Sequence, residues 1–562
     1  MADRIHNLSN AEIANRLASL AQLLSAQNEN PYKVKAYQRA AAKLRTLSES
    51  IEELVYDEVD LTAYAGIGEA ISSAIQEIVR TGNLGKLEKL RSQASPELAS
   101  LVDYPRLDPK SVLRVYKKLG ISSIDALRER LENGELEKAV GLRTAQHIRQ
   151  GLSDAHAVLL YKAHDLRKAV EEFLLNRCGV RAAQAVGNYR RCVEVIEELA
   201  FVVDVEDFAA LVARLERYGG HTPLLSSNHQ TAAYSLSSGV RLRVDRATKE
   251  NWGLSLIRCT GSEMHLRKLA SVTGALESLG SKGPFPTEES LYREFGLSFI
   301  PPELREGRDE VRLAARHALP VLVTAQEICG DLHAHSTSSD GANSIEQMAA
   351  AARDYGYEYV GITDHSQSLK IARGVSVEEL WKQIRFIDKL NHRLNGIRVL
   401  KSAEVDILAD GSLDYPDDLL RELDYTVCSV HSRFRLGKTQ QTERILWAMD
   451  NRYFHILGHG TGRFLLKRPG YDVDMERIIL NAKRNRCFFE INSSPDRLDL
   501  SAENARLAHN AGVKIAISTD AHSVGEFATI RYGIEQARRA GIDRTSVLNC
   551  MALDAMLSLF KR

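Results

Sequence analysis

From residue 328 to its C-terminus the chain repeats one pattern: a short apolar run that ends in His, Asp or Glu, followed by an amphipathic stretch at helical spacing. The runs include "YEYVGITDH", "IRVLKSAEVDI", "LDYTVCSVH", "HILGHG", "RCFFEINSS" and "VKIAISTDAH". Strand-length apolar runs alternating with helices predict parallel strands joined by crossover helices, as a barrel or a doubly wound sheet. In a barrel the carboxyl ends of the strands open on one face, so the residues that end them meet in one pocket. Those residues are His333 and His335 in "GDLHAHSTSSDG", then Asp340, His365, Glu404, His431, His459, Asp520 and His522. Imidazoles mixed with carboxylates suit Zn²⁺, Mn²⁺ or Fe²⁺ better than Ca²⁺. Two imidazoles one residue apart on a strand share a face and can grip one ion. A single HxH or DxH is a weak signal, whereas nine such residues in order at strand ends form a site. His392, His455 and His509 fall outside the pattern and read as ordinary surface or helix histidines.

The remainder fits several further domains: 562 residues, 44% of them hydrophobic, supply ample core. Residues 1–150 are helical in pattern, β-rich runs begin near residue 185, and the turn-rich "FIPPELREGRDE" follows a mixed α/β segment. Lys+Arg and Asp+Glu both total 74, so a nucleic-acid partner must be held by local basic patches. The seven cysteines are scattered without a CxxC pair, which fits a reducing compartment and no cysteine metal site. No apolar run is long enough to span a membrane, and the expected location is cytoplasmic.

Two N-terminal stretches point to DNA. "YAGIGEAISSAIQEIVRTG", residues 64–82, reads as helix, Gly-x-Gly turn and helix, the helix-hairpin-helix signature. Amides at Gly66 and Gly68, at a helix N-terminus, can bind a phosphate without reading sequence. Upstream, Lys33, Lys35, Arg39, Lys43 and Arg45, with Tyr32 and Tyr37, form a basic, aromatic-bearing stretch suited to a DNA backbone. "AVGNYRRCVEVIEELAFVVDV", residues 185–205, then reads like the start of a nucleotide-transferring palm. Two-metal phosphoryl transfer needs acidic side chains one residue apart on such a strand. Glu198 and Ala200 stand at those places, while Asp204 and Glu206 lie too far beyond the glycine turn and read as a solvated strand end.

The C-terminal order of motifs, over residues 328–562, resembles the polymerase and histidinol phosphatase (PHP) family of metal-dependent phosphoesterases. The resemblance implies a barrel with three clustered divalent ions, Mn²⁺ or Zn²⁺ with Fe²⁺ as a further option, and no organic cofactor. It assigns His333, His335, Glu404 and Asp520 to the first ion, bridges Glu404 to His431 and His459, and assigns Asp340, His365 and His522 to the third. Such a cluster acidifies a bridging water and neutralises the phosphate under attack, with Glu404 central. Arg373, Arg463 and Arg497 are candidates for gripping substrate phosphate through their guanidinium forks.

The whole chain resembles a bacterial family X DNA polymerase fused to a PHP domain. That implies a multidomain α/β protein: a helical lyase-type module with the hairpin over 1–84, fingers over 85–150, a nucleotidyltransferase-like palm over 151–250, a thumb over 251–318, and the PHP barrel. Against the family's pattern, Glu198 and Ala200 replace an Asp-x-Asp pair and Arg241 stands for a third Asp, a cation that repels Mg²⁺ and pairs with Glu198. Thr260, Gly261 and Ser262 are kept, but Arg258 and Cys259 replace aromatics; Ala70 and Ala74 replace lysines of the lyase chemistry. "YPRLDPKSV" lacks the glycines of a second hairpin, leaving Lys110 as a phosphate contact. The resemblance therefore implies a DNA-holding scaffold with lost polymerase and lyase chemistry, joined to a 3′→5′ exonuclease that serves base-excision repair. Abasic-site incision and 3′-end cleaning are the related hydrolyses, and gapped, nicked or 3′-ended DNA is the expected partner. The alternatives are a retained gap-filling polymerase and a non-catalytic DNA-binding scaffold.

Overall fold

The computed structural model describes residues 8–101, 104, 107–152, 157–280 and 283–561; Pro105 and Arg106 of "YPRLDPKSV" lie outside them. The chain forms two compact units: residues up to Ser262 with Leu269–Phe295, and Glu263–Lys268 with residues from Gly296 onward.

The first unit opens on helix α1 (Asn10–Ala26), whose start is set by a capping box: Ser9 Oγ accepts the Glu12 amide, and Glu12 accepts the Ser9 amide at 2.8 Å. Helix α2 (Pro31–Leu44) begins with proline, which has no amide to leave unpaired, and buries Val34, Tyr37, Ala41 and Leu44. Helix α3 (Glu69–Thr81) ends on the left-handed Gly82. Five strands make the palm-like sheet: β1 (Ala182–Val186), β2 (Glu198–Asp204), β3 (Leu224–Ser227), β4 (Thr231–Ser235) and β5 (Arg241–Ala247), in the order β1-β2-β5-β4-β3. Its centre is the parallel pair β2 and β5, with Glu198 opposite Arg241 and Ala200 opposite Arg243.

The second unit holds seven parallel strands, β6 (Gly330–Ala334), β7 (Tyr359–Ile362), β8 (Arg398–Asp406), β9 (Tyr425–Ser429), β10 (Ile456–Leu457), β11 (Phe488–Asn492) and β12 (Ile515–Ser518), paired in sequence order. Helices lie between them and cover the outside, and the strands are buried on both faces, which is why each reads as an apolar run. A bridge between Ala334 and Ala521 joins the first strand to the last and closes a barrel. Lower on the same seam the buried Asn549 donates to the carbonyls of Gly330 (2.8 Å) and Ile517 (2.7 Å) and accepts the Ile517 amide (3.0 Å). It stands in for a missing ladder rung. The stretch expected as one thumb, 251–318, is divided between the units. Its last part packs with the barrel through Glu303–Arg538 (2.7 Å), Glu306–Arg539 (3.2 Å) and Arg308–Glu503 (2.9 Å).

Candidate metal centre

The strand-end residues converge at the carboxyl face of the barrel. Donor atoms of His335, Asp340, His365 and His522, of His333, His335 and Asp520, and of His365, Glu404 and His431 form groups lying within 4.8 Å of one another. Glu404 is the hub: Oε1 lies 2.8 Å from His459 Nε2 and 3.3 Å from His431 Nε2, and Oε2 lies 2.7 Å from His365 Nδ1 and 3.6 Å from His333 Nε2. Asp520 Oδ1 lies 3.1 Å from His335 Nε2, and Asp340 Oδ1 lies 3.4 Å from His522 Nε2.

Partners behind the ligands orient them. Glu490, wholly buried on β11, accepts from His333 Nδ1 at 2.6 Å, which leaves Nε2 facing the centre. Asp406 does the same for His431 Nδ1 at 2.7 Å, and the Asp520 carbonyl for His522 Nδ1 at 2.8 Å. Asp364 accepts from Ser336, Ser339 and Gln383, bracing the loop that carries Asp340. His333 Nε2, His335 Nδ1 and His459 Nδ1 are buried without a hydrogen-bond partner. Buried imidazole nitrogens left unpartnered beside carboxylate oxygens fit divalent cations.

The electrostatics agree. Burial pushes the Glu404 carboxyl up, but His431, His365 and His333 outweigh it and hold it well below the usual range. Burial also disfavours a charged imidazole at His365, yet Glu404 and Asp340 lift it to about 10; against the same burial, Glu404 and Asp406 lift His431, and Asp340 and Asp520 lift His522, to about 9. His335, where burial and neighbouring His365 act together, falls to about 4. The site is a negative field that draws positive charge.

The three candidate arginines part ways. Arg497 lines the cavity, its Nε 3.6 Å from Asp520 and its guanidinium 4.2 Å from the centre of the Phe464 ring. Arg463 does not line it, because its guanidinium donates to the Arg497 carbonyl (3.0 Å) and the Leu498 carbonyl. Arg373 is exposed in a left-handed turn and is not among the lining residues, whereas Arg468, which sequence reasoning did not single out, is.

In the palm-like sheet, Glu198 pairs with Arg241 (3.2 Å) as expected and also with Arg243 (2.8 Å). Arg243 is the less exposed of the two and donates to Asp245 as well, so Arg243 joins the two carboxylates. Ala200 is buried, beside the left-handed Gly187. Arg190 is held bidentately by the buried Glu288 (2.8 and 2.6 Å), and Arg191 by the Thr260 carbonyl (2.6 Å).

The hairpin turn is present, with Gly66 at φ +91° and Gly68 capping α3; a side chain at either would meet nothing, so the turn is open to solvent. Ala70 is exposed and Ala74 buried. On α2 the spacing sets Lys35, Arg39 and Lys43 along one face at four-residue intervals, while Lys33 lies on another and pairs with Glu29 (3.1 Å). Tyr37 is buried, which removes it from the expected aromatic set, and Arg45 donates to Asn15. Lys110 is exposed and donates to Asn28.

Family models match residues 8–84 as a helix-hairpin-helix domain and residues 331–494 as a PHP domain. A DNA polymerase/3′-5′ exonuclease PolX of Bacillus subtilis (strain 168) is 32% identical over 98% of this chain and 99% of its own length. The chain belongs to the PolX family. The PHP portion alone is similar to probable phosphatases: one of Thermoanaerobacter sp. (strain X514) is 31% identical over 39% of this chain and 89% of its own, and one of Caldicellulosiruptor bescii 30% identical over 34% and 79%. In this PolX-family chain no helix among the described residues is long and apolar enough to cross a membrane.

Three orienting carboxylates of this PolX-family site escaped the sequence reading. Glu490 ends "CFFE" and so carries the same strand-end signal as the ligands. Asp364 and Asp406 sit beside His365 and two residues after Glu404, where nothing in the sequence separates a ligand from its support.

Proposed function

We propose that this PolX-family protein hydrolyses DNA from its 3′ ends at the barrel centre and that its palm no longer polymerises. The observation that carries the first half is the convergence of the strand-end histidines and carboxylates around Glu404, with buried donor atoms left over. His333, His335, Glu404 and Asp520, with His431 and His459 on the other side of Glu404 and with Asp340, His365 and His522, would hold the ions, three by the resemblance. Bound Mn²⁺ or Zn²⁺ supplies a deprotonated water at neutral pH and neutralises phosphate charge. The chain's own residues do the rest: Glu490 and Asp406 fix which imidazole nitrogen faces the site, and Arg497 offers a cation to a phosphate oxygen beside Asp520. DNA is brought by the hairpin amides and by Lys35, Arg39 and Lys43. The B. subtilis relative is called both a polymerase and an exonuclease, and its counterparts of the barrel alone are called phosphatases, so a phosphoester is the common bond.

Support for a silent palm comes from Arg243. Its guanidinium lies between Glu198 and Asp245, where divalent ions would need those carboxylates, and Glu288 occupies Arg190. A retained polymerase would have to release both pairs. Abasic-site incision, 3′-phosphate removal and a part in base-excision repair would follow from the same centre acting on damaged strands and their ends.

The test is a 5′-labelled, gapped primer–template with Mn²⁺, with and without all four dNTPs, comparing the intact protein with His431→Ala. Shortening in the intact protein that disappears in His431→Ala, without lengthening on addition of dNTPs, is the expected result. Lengthening would overturn the palm reading, and no shortening the nuclease reading.

A further inference from the structure

A cavity of about 290 Å³ opens over the metal centre, and part of its lining has no part in holding ions or phosphate. Leu369, Ile371 and Ala372 come from one turn, and Phe434 and Phe464 from the loops after β9 and β10. Ile371 is 94% exposed, more than any other large hydrophobic residue among those described. A single exposed isoleucine is ordinary on a protein surface. This one is held at the rim by a braced turn. Val375 donates to the His365 carbonyl (2.8 Å) and Ser366 to that of Glu404 (3.0 Å), so the turn is tied to two candidate ligands. Ser368 donates to Asp414 (2.7 Å) and Asp406 (2.5 Å), and a side chain at Gly374 would strike the Ser366 carbonyl at 2.0 Å. The turn that carries Ile371 is therefore tied to the ligand strands at both of its ends.

Along one wall of the lining, cations and aromatic rings are stacked together. Arg497 rests on Phe464 and reaches Asp520; Arg468 lies over the rings of Phe434 (4.3 Å) and Phe464 (4.9 Å). A small phosphate ester would use the ions and the cations alone. A nucleotide also carries a flat apolar base one sugar away from its phosphate, and apolar walls beside a phosphate site match that pairing.

We infer that Ile371, with Phe464, contacts the nucleobase of the terminal nucleotide and makes the base a determinant of cleavage. This inference rests on the nuclease reading above. It is tested with the full-length protein, Mn²⁺ and two 5′-labelled single-stranded oligonucleotides that differ only at the 3′ end, one finishing in thymidine and one in an abasic tetrahydrofuran residue. The intact protein removes the thymidine with a kcat/KM about 5- to 100-fold higher, the range for a base resting on an aromatic ring such as Phe464. Ile371→Ser, at a position too exposed to disturb folding, brings that ratio towards one, and Ile371→Val restores most of it. Phe464→Leu lowers the same ratio. Equal cleavage of the two oligonucleotides by the intact protein, or an unchanged ratio in Ile371→Ser, overturns the base contact and leaves the nuclease standing. Cleavage of neither overturns both.

Discussion

Glu490 binds the candidate centre twice: Oε1 accepts from His333 Nδ1 at 2.6 Å and Oε2 accepts the backbone amide of His459 at 2.8 Å. A glutamine can satisfy only one of these donors, since its amide nitrogen would face the other. Glu490→Gln is expected to weaken metal binding about 10- to 100-fold. Metal content after dialysis against limiting Mn²⁺ checks this, and a content equal to that of the intact protein would refute it.

The barrel seam depends on Asn549. Asn549→Ala strands the Gly330 carbonyl and both backbone groups of Ile517 in the interior. At roughly 1–3 kcal/mol for each buried polar group left unpaired, the barrel's melting transition should fall by several degrees. Calorimetry would resolve it from that of the first unit.

Arg243 joins Glu198 to Asp245, two carboxylates that would otherwise repel. Arg243→Ala is expected to destabilise the first unit by about 1–3 kcal/mol. Added Mn²⁺ should recover part of the loss in a His431→Ala background, because the freed carboxylates then accept a cation. Thermal melting with and without Mn²⁺ measures both effects.

Glu535 is pushed up to about 7, by burial first and by Glu303, against the pull of Arg531 and Arg538. A carboxyl raised above its unfolded value favours the folded state while it is protonated. That stability is fully present below about pH 4.5 and is lost as pH rises through 7. Glu535→Gln should therefore gain on the intact protein between pH 5 and pH 8, by on the order of 1–3 kcal/mol. Denaturant unfolding at the two pH values reads the difference.

Lys35 and Arg39 are exposed on one face of α2. If each meets a phosphate, Lys35→Gln and Arg39→Gln should each reduce the slope of log affinity against log salt by about 0.9 on duplex DNA. Fluorescence anisotropy across a salt series measures the slope, and Lys33→Gln, whose cation is shared with Glu29, should change it less.

Much of the centre was legible because a parallel strand buried on both faces must be apolar until it reaches the barrel mouth. Side chains such as His431 and Glu404 sit towards that end, so position along the strand betrays the site. The hairpin was legible for a similar local reason, since Gly66 has a positive φ that other residues rarely adopt. Arginine roles were not legible. Arg463 and Arg497 are both near strand ends, and only packing sends one to backbone carbonyls and the other to Asp520.

By itself, then, the sequence determined which segments become strands and helices, and which side chains gather at the barrel mouth, because both follow from local periodicity and burial. The tertiary structure alone decided which carboxylates orient ligands rather than join them, that Arg243 as well as Arg241 pairs with Glu198, and that Ile371 stands at the rim. Each depends on distances between residues far apart in the chain, such as the 2.6 Å from His333 to Glu490, and no local pattern encodes a distance.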